Sequence, residues 1–155
     1  HRCWIVYDGT RNASASRLDG KPWQALSGKP KAKTLRGSQA SWPLGASRIG
    51  EVVTILFCEG TPDLLAAATF AAYELDSWEA VSMPGRMPIS ADALPLFQGK
   101  QVYIFAHNDQ PGLNAARDWQ AQLTKAGATV TALCSDTPGR DLNDALTAGE
   151  TILIR

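Results

Sequence analysis

The chain is organised around one stretch, Val53-Thr-Ile-Leu-Phe-Cys-Glu-Gly-Thr-Pro-Asp63. Its first half is an uninterrupted run of apolar and β-branched residues, which is typical of a strand buried on both faces of a parallel sheet. The run stops at Glu59-Gly60, and the next residues favour an immediate helix, with Thr61 as its cap and Asp63 at the positive end of its dipole. Glu59 is therefore predicted to project from the carboxyl end of a central strand, where open α/β sheets keep their chemistry.

The same strand-then-helix pattern recurs further along the chain. Val102-Tyr-Ile-Phe-Ala106 predicts a second buried strand, His107-Asn-Asp109 follows it, and Gln110-Pro-Gly112 opens another helix. If the two strands are neighbours in a parallel sheet, their carboxyl ends lie at the same edge. Glu59 and Asp109 are then expected to converge.

Weaker signals complete the pattern. Further strands are predicted at 79–83 and 128–133, a short helix at 91–97, a last helix at 141–148, and an edge strand or a new element at 151–154. This alternation of strands and helices predicts an α/β fold, an open parallel sheet with helices on both faces.

The two long predicted helices each carry an apolar face. These faces are formed by Leu64, Ala68, Ala71 and Leu75 in the first helix and by Gly112, Ala116, Trp119 and Leu123 in the second. The second helix is predicted to end at Gly127, a natural residue for a helix C-terminus. Trp119 is interpreted as a core residue rather than a base-stacking one.

The first fifty residues differ in composition from the rest. A strand at 4–7 and alternating small and polar residues at 12–18 predict a hairpin, whereas 21–42 is rich in Gly, Ser, Pro and Lys and predicts irregular structure. Trp42-Pro-Leu-Gly45 is interpreted as an anchor onto the following domain. We predict a small basic β-containing lobe at 1–50 and an α/β domain at 51–155.

Charge is distributed unevenly between these two parts. Nine of the 15 basic residues but only two of the 15 acidic ones precede Glu51, so the net charge of zero hides a basic lobe beside an acidic domain. A basic segment next to carboxylates suits a polyanion held beside bound cations. A solvated basic loop is the alternative explanation.

Composition excludes several other classes. The longest uncharged apolar stretch, 64–73, is too short to span a bilayer, and the start lacks a signal-peptide pattern, so we expect no membrane partner. The chain begins at His1 without a methionine, and we expect it to be a piece of a longer protein. Three widely spaced cysteines predict reduced, mostly buried thiols in a cytoplasmic protein.

The motifs together resemble the Toprim domain, the metal-binding catalytic module of bacterial-type DNA primases, topoisomerases and some nucleases. The resemblance covers 53–146 and is carried by Glu59-Gly60 with Asp63, by Asn108-Asp109 and by Pro111-Gly112. Arg140-Asp-Leu-Asn-Asp144 is similar to the Lys-Asp-x-Asn-Asp segment of phage and plasmid primase-helicases. The basic lobe also resembles the region ahead of Toprim in those proteins, through Arg17-Leu-Asp-Gly20, Lys31-Ala-Lys33 and Ser41-Trp-Pro-Leu-Gly45.

This resemblance implies roles for several acidic residues. Glu59 and Asp109 correspond to catalytic residues: Glu59 to a metal ligand or general acid/base, and Asp109 to a carboxylate that binds divalent cations, with Mg²⁺ or Mn²⁺ as cofactor. Asp141 is expected to join the metal ligands, and Asp63, Asp144 and Arg140 to support the site. The alternatives are that Asp63 only stabilises a helix dipole and that Asp141 and Asp144 only cap the last helix.

His107 is the point at which this chain departs from the family, because it occupies the place of an expected aspartate. A neutral nitrogen there removes one charge and softens the site. Three interpretations stay open: His107 is a ligand with a changed metal preference, the carboxylates alone bind the metal, or the domain is weakened and non-catalytic.

The implied activity is a primase-type nucleotidyltransferase that makes RNA primers on single-stranded DNA from nucleoside triphosphates, fused to or associated with a helicase. A non-catalytic nucleic-acid- or nucleotide-binding module and a Toprim nuclease are the alternatives. Five basic residues are candidates to contact template or nucleotide phosphates, although each singly fits a solvated surface: Arg11, Arg17, Lys31, Lys33 and Arg36.

Overall fold

The computed structural model describes residues 2–24, 26, 30–74 and 78–149, and within them the chain forms two sheets. The first is antiparallel, in the order β1-β2-β3, with β1 at Cys3–Tyr7, β2 at Ala13–Arg17 and β3 at Ala32–Thr34. The second is parallel and contains β4 (Thr54–Glu59), β5 (Trp78–Met83), β6 (Gln101–Ala106) and β7 (Thr129–Cys134). Its helices are α1 (Gly60–Glu74), α2 (Gln110–Lys125) and α3 (Leu142–Thr147). The predicted α/β fold is confirmed, while the prediction for 151–154 lies outside the described residues.

The order of strands in the parallel sheet creates a switch point beside β4. The order is β5-β4-β6-β7, so the chain leaves β4 to build β5 on one side and then crosses to β6 on the other. At such a reversal the connections diverge and leave a crevice at the carboxyl ends of the strands. The predicted adjacency of the two central strands is therefore confirmed.

One face of the sheet packs on α2. Phe57 of β4 meets the ring of Trp119 at 5.4 Å between centroids and the ring of Phe97 at 6.0 Å, both edge to face. Trp119 is buried, and its indole N–H donates to the carbonyl of Met87 at 2.9 Å. The prediction that Trp119 belongs to the core is confirmed, as is the whole predicted face of α2, Gly112, Ala116, Trp119 and Leu123.

The opposite face packs on α1 and α3. Leu56 and Cys58 of β4 lie in a second core with Leu64 of α1 and Leu142 of α3. Because neighbouring residues of β4 alternate between the two cores, the unbroken apolar run is explained. Helices on both faces are thus confirmed, although Leu75 of the predicted α1 face lies outside the described residues.

The small antiparallel sheet rests on the start of α1. The predicted hairpin is confirmed, since β1 pairs with β2 from Cys3 opposite Arg17 to Tyr7 opposite Ala13. Ser16 of β2 places its hydroxyl oxygen 3.4 Å from that of Thr61.

The predicted anchor is also confirmed. Trp42 is buried in the α2-side core, and Leu44 exchanges two backbone hydrogen bonds with Ser82 of β5, at 2.8 and 3.0 Å. The division at residue 50 stays a prediction, because residues on either side of it share these cores.

Four local predictions were wrong. The segment 21–42 is not wholly irregular, since β3 pairs there with β2. Thr61 does not cap α1, because the helix already begins at Gly60 and the Thr61 hydroxyl faces Ser16. Only Leu94–Phe97 of the predicted 91–97 helix is helical, as a 3-10 turn, because Pro95 lacks the N–H that a longer helix needs.

The fourth concerns the cysteines. Cys58 is buried as predicted, but Cys3 and Cys134 are exposed. Both lie on the outermost strands of their sheets, β1 and β7, where little packs over the strand. None of the helices in the described ranges is both long and apolar enough to cross a membrane.

Candidate metal centre

The acidic residues predicted to converge lie together at the switch point. β4 ends at Glu59, β6 ends at Ala106, and the two strands pair in parallel up to Phe57 opposite Ile104. The loop after β6 therefore carries His107 and Asp109 to the side of Glu59. The side chains of Glu59, His107 and Asp109 are 14%, 23% and 45% exposed, respectively, so the site lies at a partly exposed edge of the sheet rather than in a closed core.

Arg86 links the two predicted catalytic carboxylates. Its Nε lies 2.9 and 3.0 Å from the Glu59 carboxylate oxygens, and its Nη2 lies 3.2 and 3.4 Å from those of Asp109. Burial lowers the pKa of Arg86. Glu59 and Asp109 raise it through their hydrogen bonds and negative charges, and the net result is a raised pKa. The sequence interpretation missed this residue. The available signal was its place just after the predicted strand at 79–83, at the same sheet edge.

His107 connects β6 to the first turn of α1. Its Nε2 lies 2.9 Å from Oδ2 of Asp63, and its Nδ1 lies 3.7 Å from Oε2 of Glu59. Asp63 is only 1% exposed, and its other oxygen accepts the backbone N–H of Asn143 in α3 at 3.0 Å. Asp63 thus joins α1, β6 and α3, which is more than the dipole role considered for it.

Burial and the contact between the two side chains shift the pKa values of both Asp63 and His107. Burial raises the pKa of Asp63, against the effects of the His107 contact and the Asn143 N–H. The hydrogen bond to Asp63 raises the pKa of His107 above its usual 6.5, with help from the charges of Glu59, Asp63 and Asp141 and against the effect of burial. Without a metal, the imidazole is therefore held as a cation over a wider pH range than a free histidine.

Asp141 lies beside this pair and also caps α3, accepting the backbone N–H of Asp144 at 2.8 Å. The capping role considered for Asp141 is thus present. Asp144 lies in the first turn of the helix. The carbonyl of Arg140 accepts the Asn108 N–H at 3.1 Å, which ties the loop before α3 to the end of β6.

Three of these residues can hold a metal ion together. Asp63, His107 and Asp141 each offer one ligand atom, and the three atoms lie within 4.8 Å of one another. Two carboxylates and one imidazole fit a divalent cation that accepts nitrogen as well as oxygen, as Mn²⁺ does more readily than Mg²⁺. The predicted ligands Glu59 and Asp109 lie on the Arg86 side of the same edge. The assignment of individual ligands stays a prediction.

Asp109 has a second task as the N-cap of α2, where Oδ1 accepts the N–H of Gly112 at 2.6 Å. That N–H, followed by the charge of Arg86, lowers the pKa of Asp109. A Cβ at Gly112 would lie 2.6 Å from the His107 carbonyl oxygen and 2.9 Å from Oδ1 of Asp109. Glycine is therefore required here so that the helix can approach the end of β6.

The five basic residues predicted to contact phosphates lie in or beside the antiparallel sheet. Arg11 pairs with Asp92 at 3.4 Å and lies over the Trp42 ring at 4.4 Å. Arg17 forms an ion pair with Asp19, which lowers the pKa of Asp19 to about 2. Lys33 lies 4.0 Å above the Trp23 ring, and Lys31 and Arg36 are exposed. Their role toward nucleic acid stays a prediction.

The raised pKa of His107 has a consequence for stability. Because the folded protein binds this proton more tightly than the unfolded chain, the stabilisation is complete below the unfolded pKa of roughly 6.5 and is lost as pH rises through the folded pKa. The raised pKa of Asp63 also makes stability fall as pH rises, but over the lower pH range in which this carboxyl group titrates. We expect the metal-free urea midpoint to fall as pH is raised from about 6 to about 8.5. His107→Gln should flatten this slope, and an equal slope in both proteins would contradict the ion pair.

The comparison of the sequence with protein families gives one match. Residues 56–146 match the family model described as Toprim-like, which is more than half of the chain. A search of curated protein sequences found no match.

Solved structures resemble the chain in fold. The Aquifex aeolicus primase (zinc binding and RNA polymerase domains) and a DNA primase domain from Pseudomonas aeruginosa each share 19% identity with it, at a TM-score of 0.62. Both comparisons cover 88% of this chain, but only 33% and 42% of the primase chains. The primase fragment of the bacteriophage T7 primase-helicase protein shares 14% identity at a TM-score of 0.53, over 95% of this chain and 63% of that one. This chain therefore spans less than two thirds of each of these structures.

Proposed function

The chain belongs to the Toprim-like family, and from this premise we propose that it is the metal-dependent catalytic module of a DNA primase-like nucleotidyltransferase. The observation that carries the proposal is the convergence of Glu59, Asp63, His107, Asp109 and Asp141 at one switch point. Primase structures from two bacteria and a phage share this fold, which supports primase chemistry over other uses of it.

The residues at this edge would have different roles in phosphoryl transfer. Asp63, His107 and Asp141 would hold a divalent cation, which when bound supplies charge neutralisation for phosphate oxygens. Glu59 lies next to this cluster, with its Oε2 3.7 Å from Nδ1 of His107, and its carboxylate would accept the proton of an attacking 3′-hydroxyl. Asp109 is held in place by the start of α2 and adds negative charge at the same edge.

The basic lobe is proposed to hold the single-stranded DNA template. Lys31 and Arg36 are exposed, and Lys33 stacks on Trp23, which is a combination of cationic and aromatic groups that single-stranded nucleic acid can use. The resemblance to the T7 primase-helicase fragment supports a helicase, fused or separate, as partner.

The direct test is primer synthesis on single-stranded templates with labelled nucleoside triphosphates, with Mg²⁺, with Mn²⁺ and with a chelator. We expect metal-dependent formation of short RNA products, more with Mn²⁺ than with Mg²⁺. Cleavage of the template without synthesis would instead indicate a nuclease.

A second candidate function rests on a separate observation. Arg86 pairs with Glu59 and Asp109, and His107 pairs with Asp63, so protein cations already offset part of the negative charge of the metal-free edge. Such an edge also fits a module that binds nucleic acid or nucleotide without chemistry. Template binding with no synthesis in any metal would favour this function.

The basic lobe predicts a steep salt dependence of binding to single-stranded DNA. Each neutralised phosphate releases counterions and contributes roughly −0.7 to the slope of log affinity against log salt. Changing Lys31, Lys33 and Arg36 together to alanine should flatten that slope by up to about 2. A matched variant that changes Lys100, Arg117 and Lys125, outside the lobe, should leave the slope nearly unchanged. Equal slopes in the two variants would mean that the three lobe residues are only a solvated surface.

A further inference from the structure

Arg86 holds a position that a divalent cation would also favour. Its guanidinium lies between the ends of β4 and β6, with four nitrogen–oxygen separations of 2.9 to 3.4 Å to Glu59 and Asp109. Both oxygens of each carboxylate are therefore engaged by a cation that belongs to the protein. Arginine is suited to this because its planar fork matches carboxylates and its charge does not titrate near neutral pH.

A metal ion and the guanidinium cannot share these oxygens easily. A divalent cation bound by Glu59 or Asp109 would take up lone pairs that Arg86 now uses, and the two positive charges would lie a few ångströms apart. Like charges at that separation repel strongly even where solvent screens them in part. Binding at this side of the edge therefore requires Arg86 to move.

A cleft beside Arg86 can accept its side chain after displacement. The residue also lines a cleft of about 270 Å³ between its own loop and α2, together with Asp118 and Gln122. The Arg86 side chain is 35% exposed, so rotation away from the two carboxylates into this cleft does not require a packed core to open. Asp118 would provide an alternative carboxylate at the cleft wall.

We propose that Arg86 is an intramolecular competitor of the metal ion. It pairs with the carboxylates of Glu59 and Asp109 in the metal-free protein and must be displaced before they can coordinate a cation. The inference rests on the proposed metal centre, but it concerns metal affinity and not primer synthesis. It makes Arg86 a residue that sets the affinity of the edge for metal, with the three-residue cluster of Asp63, His107 and Asp141 lying outside its contacts.

Calorimetric titration with Mn²⁺ tests the competition. Arg86→Gln should lower the dissociation constant of a Mn²⁺ ion bound by Glu59 and Asp109 by roughly tenfold, because it removes both the competitor and a repelling charge. Arg48→Gln is the matched control: Arg48 makes a similar pair with Glu79, 2.9 Å apart, at the opposite end of β5. It removes the same charge from the protein, so its dissociation constant should stay within about twofold of the parent, since distant exposed charges are screened.

A double variant locates the effect. In the background of Asp109→Asn, which keeps the helix cap but removes the charge, the gain from Arg86→Gln should shrink markedly. Equal affinities in Arg86→Gln and Arg48→Gln, weaker binding in Arg86→Gln, or no Mn²⁺ binding by either would overturn the proposal. A protein that makes no primers but shows the predicted gain would overturn the proposed function and leave this inference standing.

Discussion

Glu59→Gln is expected to reduce metal-dependent primer synthesis by roughly 10²–10⁴-fold, the range that a lost general base or charged ligand commonly costs. The folded structure should persist, because Glu59 lies at an open strand end and contributes charge rather than packing. The lost ion pair with Arg86, at 2.9 Å, is partly exposed and is worth about 1 kcal/mol or less.

The measurement compares primer synthesis and thermal unfolding in the same preparations. Glu79→Gln serves as the control, since Glu79 is also a carboxylate paired with an arginine, Arg48, but at the opposite end of the sheet. It should retain activity. Near-normal synthesis by a folded Glu59→Gln protein would remove the proposed mechanism from consideration.

The second large effect is expected at His107. Replacing it with aspartate adds a third carboxylate to those of Asp63 and Asp141. In the parent protein Asp63 is 1% exposed and lies 2.9 Å from the imidazole. Two carboxylates that close cannot both ionise at low cost, so the metal-free variant should lose about 1–3 kcal/mol of stability. A divalent cation relieves that repulsion. We therefore expect Mg²⁺ to raise the melting temperature of His107→Asp far more than that of the parent protein.

Calorimetry at two pH values completes this test. Mg²⁺ affinity and Mg²⁺-dependent turnover should rise in His107→Asp, because Mg²⁺ prefers oxygen ligands. In the parent protein, metal binding should weaken on acidification at a higher pH than the roughly 6.5 of free histidine, since Asp63 raises the pKa of His107. His107→Asn, which has the size of aspartate without its charge, should show neither gain. Equal Mg²⁺ affinity in all three proteins would mean that position 107 does not touch the metal.

The Toprim-like fold was predictable because its signals are local in the chain. The unbroken apolar run ending in Glu59-Gly60 marks a doubly buried strand, and its repetition before His107 marks the partner strand. A parallel sheet then requires both strand ends to lie at one edge. The resemblance to the Toprim domain, which the same motifs carry, is confirmed by the family match, and the solved primase structures share the fold.

Predictions were wrong where the local sequence allows a residue two structural environments and the tertiary structure selects between them. Thr61 is a good helix cap in isolation, but the helix begins one residue earlier and the small sheet engages its hydroxyl. The exposure of Cys3 and Cys134 depends on which strands end up outermost in their sheets, and that is a property of strand order.

By itself, the sequence determined which strands end at the functional edge and which acidic residues they carry there, because strand ends and motif order are encoded in consecutive residues. Only the tertiary structure decided how those charges are balanced. Arg86 comes from the neighbouring strand's loop to join Glu59 and Asp109, and Asp63 becomes the buried partner of His107, 44 residues away in the chain. Ion pairs of this kind depend on distances across three strands and a helix, and no local pattern specifies them.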